Sequence, residues 1–153
     1  MTARRTILKP LAALALLPLA ACAAGAKMNK TIALSYTTRN YTSRDIFEVS
    51  LNKRTSDGAP PYNSGTSSSV GVTFDLGGPQ TLTWTLGGPR GTARNGEVVA
   101  AKNSLYIREE DMPKGVCYLC IHIYPDETAE LTFTVHLPPP TPRGAAILKE
   151  NGK

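Results

Sequence analysis

The tetrapeptide Leu-Gly-Gly-Pro occurs twice, at Leu76 and at Leu86, and brackets Gln80-Thr81-Leu82-Thr83-Trp84-Thr85. Paired glycines followed by proline interrupt helix and strand alike, so whatever lies between the two copies must be a short element. Leu82, Trp84 and Leu86 fall on one face of it and Thr81, Thr83 and Thr85 on the other, the period of two that marks a half-buried strand. Trp84 reads as a core anchor because its face-mates are leucines. Two copies are turn punctuation, since a repeat architecture needs several units to bury a core.

The same grammar recurs along the chain. Ile32, Leu34 and Tyr36 alternate with Thr31, Ala33 and Ser35. Phe47, Val49 and Leu51 face one way while Ile46, Glu48 and Ser50 face the other, and Val70, Val72 and Phe74 make a third strand. A short strand runs through Val98 and Ala100. Strands at 116–124 and 130–137 flank the hairpin signal Pro125-Asp126-Glu127-Thr128. Leu119, Ile121 and Ile123 are expected to share a core face with Leu131, Phe133 and Val135. Tyr118, Cys120, His122, Tyr124, Thr132, Thr134 and His136 lie opposite. Residues 52–67 read as a long exposed loop, from Asp57-Gly58, Pro60-Pro61 and Asn63-Ser64-Gly65. Residues 104–115 read as a charged loop with Leu105, Ile107 and Met112 exposed beside Arg108, Glu109, Glu110 and Asp111. The expected fold is all-β, an antiparallel sandwich or small barrel of about seven short strands. An alternative packs a sheet on one short helix within 92–114.

The N-terminus carries Arg4, Arg5 and Lys9, then an apolar run from Leu11 to Ala21 that ends in Leu19-Ala20-Ala21-Cys22. That is the order of a secretory signal, too short to span a bilayer, closing on a lipobox. Cys22 is the expected lipidation site, and Ala23 rather than an aspartate after it points to the outer membrane. The divisions are 1–21 signal peptide, 22–30 lipidated tether, 31–137 β-domain and 138–153 Pro-rich extended tail. Losing the signal removes three positive charges, so the net charge of +5 becomes +2. Nucleic acid is therefore excluded as a partner.

Few residues suit catalysis. Cys117 and Cys120 have redox spacing, but three positions apart on a strand they point to opposite faces, so two packed thiols are expected; the alternative is a bulge near Gly115 that brings the two together. His122, His136 and Cys120 share a face, yet the histidines lie too far apart for one metal. Gly65-Thr66-Ser67-Ser68-Ser69 lacks the glycine that a nucleophile elbow requires. Glu109, Glu110 and Asp111 are consecutive and cannot face one another across a sugar. No enzyme activity, cofactor or metal is expected.

Asn40-Tyr41-Thr42-Ser43-Arg44-Asp45-Ile46 before Phe47-Glu48-Val49, the Gly65–Ser69 segment, Leu82-Thr83-Trp84, and His122-Ile123-Tyr124-Pro125-Asp126 before a Pro-rich end carry a resemblance over most of 30–143. On these motifs the chain resembles a family of small proteobacterial lipoproteins of unknown function. A cysteine pair common in that family is replaced here by Ser68 and Ser69. The resemblance implies an immunity lipoprotein of the kind encoded beside type VI secretion phospholipase effectors. The expected function is then to bind and neutralise a toxic envelope enzyme from the periplasmic face of the outer membrane, through a protein–protein surface. Its anchors, chosen for residue type and expected exposure, are Arg39, Tyr41, Arg44, Tyr62, Arg90, Arg94, Tyr106 and Arg108. The rival readings are an envelope assembly lipoprotein and an inhibitor of host hydrolases such as lysozyme.

Overall fold

A computed structural model describes residues 30–64 and 69–153, so the signal, the lipobox and most of the tether lie outside the described residues. The strands are β1 (Thr31–Asn40), β2 (Ile46–Leu51), β3 (Arg54–Ala59), β4 (Asn63–Ser64), β5 (Ser69–Asp75), β6 (Pro79–Gln80), β7 (Leu82–Leu86), β8 (Val98–Ala100), β9 (Leu105–Tyr106), β10 (Tyr118–Ile123) and β11 (Ala129–Thr134). A 3-10 turn spans Glu109–Asp111, and a helix, α1, spans Pro142–Glu150. One sheet runs β11-β10-β1, with β4 and β5 both on the far edge of β1; the other runs β3-β2-β7-β8. Their inner faces supply a single core, from Leu34, Tyr36, Phe74, Leu119, Ile121 and Ile123 on one side to Val49, Leu51, Leu82, Trp84, Leu86 and Val99 on the other. The sandwich expected from the turn spacing is present, and Trp84 sits in its core. The exception to antiparallel pairing is central: β1 and β10 run parallel, with Tyr36 opposite Leu119 and Thr38 opposite Ile121.

Several local expectations are corrected. Between Ile46 and Glu48 the register of β2 against β7 shifts by one residue, a bulge that turns Ile46 inward with Val49 and Leu51 and leaves Phe47 outside. Phe47 is therefore exposed, where simple alternation predicted core. In β8 the buried residue is Val99, and Val98 and Ala100 face out. Residues 52–67 are not one loop. Asn52 and Lys53, with φ of 51° and 65°, form a two-residue turn from β2 into β3. The Asn52 carboxamide locks that turn: its Oδ1 accepts the Thr81 N–H at 2.8 Å and its Nδ2 donates to Gln80 Oε1. Gly58 lies inside β3, where a Cβ would collide with the backbone of Ile46. Close approach, not turning, is the reason for that glycine. The charged stretch 104–115 turns its apolar residues inward: Leu105 and Ile107 are buried in the core, Met112 packs against it, and the charges stay outside.

The hairpin β10–β11 is centred on Asp126, with Ile123 opposite Ala129 and His122 opposite Glu130. Leu119, Ile121 and Ile123 face the core as expected, while Val135 falls beyond the strand and is exposed. On the opposite face Cys120, His122 and Tyr124 are also buried, because the tail is not extended, while Tyr118, Thr132 and Thr134 are half-buried and His136 is exposed. Thr141 caps α1, its Oγ1 accepting the Gly144 N–H at 3.0 Å, and Pro142 occupies the first turn. The first turn of the helix packs on Tyr41 and Tyr124, just past the ends of β1 and β10, with Gly144 so close to the Tyr41 ring that any side chain there would overlap it.

Beneath α1 the polar groups pair with one another. The Tyr41 hydroxyl bonds His122 Nδ1 at 2.9 Å, His122 Nε2 bonds Thr132 Oγ1 at 2.8 Å, and the Tyr124 hydroxyl bonds Thr141 Oγ1 at 2.7 Å. Tyr41 stacks on His122 and Tyr124 with ring centroids 5.8 and 5.2 Å apart. Arg143 covers Tyr124 from outside, 3.9 Å from the ring centroid, and bonds Asp126 at 2.9 Å. Burial pulls the His122 pKa down to about 4, with the Arg39 charge adding to the effect.

Candidate protein-binding surface

The long axis of the sandwich has two ends. At one, Lys30 precedes β1 beside Asp75, Leu76 and the β2–β3 turn, the end at which the expected tether would join the domain. At the other, the loops 41–45, 60–62, 87–97 and 124–128 converge. Five of the eight expected anchors, Tyr41, Arg44, Tyr62, Arg90 and Arg94, sit at this distal end, Tyr41 buried.

The distal loops are held by hydrogen bonds that leave little to order on binding. Arg44 reaches across from one loop to the next, its Nε and Nη2 donating to Gly87 O at 3.1 and 3.0 Å and its Nη1 to Ala93 O at 3.0 Å. The segment 87–97 is closed at its base, where Gly96 N–H donates to Leu86 O and Leu86 N–H to Glu97 O. Arg94, with φ of 61°, bridges Glu97 and Glu127 at 2.8 and 2.9 Å, and Lys102 reaches the second oxygen of Glu127 at 3.0 Å. The Arg94 hydrogen bond holds Glu97 below the usual carboxylate range, and those from Lys102 and then Arg94 do the same for Glu127. Each such exposed pair contributes little alone; together they fix the loop. The Tyr62 N–H donates to Thr42 O at 3.2 Å, and Arg90 is exposed and free of any carboxylate among the described residues.

Two residues that sequence reading placed elsewhere complete the surface. Phe47, carried outward by the β2 bulge, lies against Gly87 and is 57% exposed; Val98, on the same outer face of the sheet opposite Thr85, is 63% exposed. The arrangement is an aromatic and an aliphatic side chain beside preset arginines, the composition that protein interfaces favour at their centres. The distal cleft among Arg44, Trp84, Arg94 and Tyr124 holds only about 130 Å³, too little for an organic ligand of ordinary size. No alternation count finds Phe47, because a bulge has no signature in the hydrophobic pattern itself.

Tyr41, expected to be exposed, is 1% exposed, because α1 covers it. The other anchors are dispersed. Arg39 is half-buried and holds the chain before α1, donating from Nε and Nη2 to Pro138 O at 3.0 and 2.6 Å. Tyr106 and Arg108 lie at the tether end, the guanidinium 5.1 Å from the ring centroid. Cys117 and Cys120, the cysteines among the described residues, are free: Cys120 is buried, and its thiol is pushed up to about 12 by that burial. Cys117 is exposed, not packed, at an irregular start of β10 where its N–H donates to Thr134 O. Among the described residues no group of three or more His, Cys, Asp or Glu side chains is placed to hold a metal, and no helix is long and apolar enough to cross a membrane. The chain matches no protein-family model, no curated protein and no solved structure.

Proposed function

We propose that the mature chain is an outer-membrane lipoprotein, anchored through Cys22 on the periplasmic side, that binds a toxic envelope enzyme and blocks it without chemistry of its own. The observation that carries this reading is the distal end. Phe47, Val98, Arg90 and Arg94 form an exposed surface whose loops are already ordered by half-buried Arg44, at the opposite end of the domain from the tether. Ordering before binding lowers the entropic cost of association, and a surface of roughly 800 Å² per partner is enough for a specific complex. An anchor would keep the inhibitor beside a membrane-directed enzyme while the distal end points into the periplasm.

The test is co-purification with the product of the neighbouring gene, together with protection of cells expressing that product in the periplasm. Phe47→Asp and Arg90→Glu are each expected to weaken the complex by about tenfold or more, with the fold intact by circular dichroism. No complex and no protection ends this reading.

A further inference from the structure

At the tether end a groove of about 810 Å³ opens between the β2–β3 turn, the Gly77–Pro79 turn and the 3-10 turn. Six charged side chains line it: Lys30, Arg54, Asp75, Arg108, Glu109 and Glu110. Lys30 and Glu109 pair with each other at 2.5 Å, both largely exposed, and such a pair opens at little cost. The remaining four are not neutralised. Arg54 lies 5.9 Å from the Phe74 ring centroid and Arg108 lies 5.1 Å from that of Tyr106, and neither guanidinium meets a carboxylate among the described residues. The carboxylates of Asp75 and Glu110 likewise meet no cation there. A guanidinium whose only neighbour is a ring keeps its N–H groups for an oxyanion. One groove thus presents donors for an anion and acceptors for an ammonium group.

Its position narrows the ligand. Lys30 is part of the wall, and the eight residue-to-residue steps from Cys22 to it span at most about 28 Å. With Cys22 acylated, the groove stays within that distance of the lipid headgroups.

We propose that this groove takes the phosphoethanolamine headgroup of a phospholipid, phosphate toward Arg54 and Arg108 and ammonium toward Asp75 and Glu110. The lipid source rests on the anchor reading; the charge arrangement does not. Binding would seat the tether end on the membrane and turn the distal loops outward.

The whole mature chain carrying Cys22→Ser, and so lacking acyl groups, is sedimented with phosphatidylcholine vesicles containing either phosphatidylethanolamine or phosphatidylglycerol. Soluble glycerophosphoethanolamine and inorganic phosphate are titrated in parallel by NMR. The expected result is preferential retention on the phosphatidylethanolamine vesicles, saturable shifts with glycerophosphoethanolamine, and no comparable saturation with phosphate alone. Arg108→Gln, and separately Glu110→Gln, are expected to lower retention about fivefold with unchanged melting temperature. Both residues are exposed, so neither change threatens the fold. Equal or greater retention on phosphatidylglycerol, retention indifferent to both variants, or saturation by phosphate alone overturns the proposal. Loss of headgroup binding with partner protection intact removes this site and leaves the proposed function; the converse result removes the function and leaves the site.

Discussion

The two outer faces of the sandwich began with the same strand grammar and met different fates. On the β1–β10 sheet the outer face carries Tyr41, Cys120, His122 and Tyr124, all buried, because α1 and the segment before it lie across them. On the β2–β7 sheet the outer face carries Ser50, Thr83, Thr85 and Val98, joined by Phe47 from the bulge, and nothing among the described residues covers it. Alternation decides only that a side chain leaves the shared core. Whether it then meets water depends on a segment that joins the sheet from elsewhere in the chain. The covered face is expected to support stability and the open face to support binding, so mutations on the two should separate.

The largest effect should come from Tyr41→Ala, which removes a buried ring contacting His122, Tyr124 and Gly144; a loss of about 3–5 kcal/mol is expected in urea unfolding. A loss under 1 kcal/mol would mean that α1 is not a stabilising cover.

The second effect is a pH dependence of the same face. His122 is neutral in the fold with its pKa pulled down to about 4, against an ordinary value near 6.5 in the unfolded chain, so between those values the unfolded state binds the extra proton. Stability is therefore expected to fall as pH drops from about 6.5 to 4, by up to roughly 3 kcal/mol, and then to level off in this contribution. Tyr41 stacks on the ring and the Arg39 charge adds to the effect of burial; Glu130, the cross-strand neighbour, does not offset them. Asp126, held down to about 2 chiefly by the Thr128 hydroxyl with help from Arg143, loses its contribution at lower pH as it protonates, so the two phases are separable. In His122→Gln the first phase should disappear from the stability–pH curve.

A smaller change is expected from Thr141→Ala, which removes the N-cap of α1 and the partner of the Tyr124 hydroxyl: about 1–2 kcal/mol by chemical denaturation. The smallest belongs to the open face. Phe47→Ser should change stability by no more than about 0.5 kcal/mol while weakening partner binding, measured by calorimetry on the same preparation. A stability loss comparable to that of Tyr41→Ala would place Phe47 in the covered class and break the comparison.

How far the sequence carries each region follows from the range of the interactions involved. Leu82, Trp84 and Leu86 were readable because a strand bounded by Gly-Gly-Pro needs no distant information. The helix had a readable start as well: Thr141 followed by Pro142 is an N-cap with proline in the first turn, a signal hidden by the three prolines before it. Nothing local marked Gly144 as the contact point for Tyr41, more than a hundred positions earlier. The candidate surface was half readable. Arg44, Arg90 and Arg94 stand in loops identifiable from turn residues, but Phe47 needed the bulge and Tyr41 needed the helix.

The sequence by itself determined the all-β class and the inward placing of Trp84 and of Leu119, Ile121 and Ile123. Both follow from period-two alternation. Only the tertiary structure decided the parallel pairing of β1 with β10, the one-residue bulge that exposes Phe47, and the helix that seals Tyr41 and His122. Each of those depends on free energy gained between segments far apart in the chain, to which local pattern is blind.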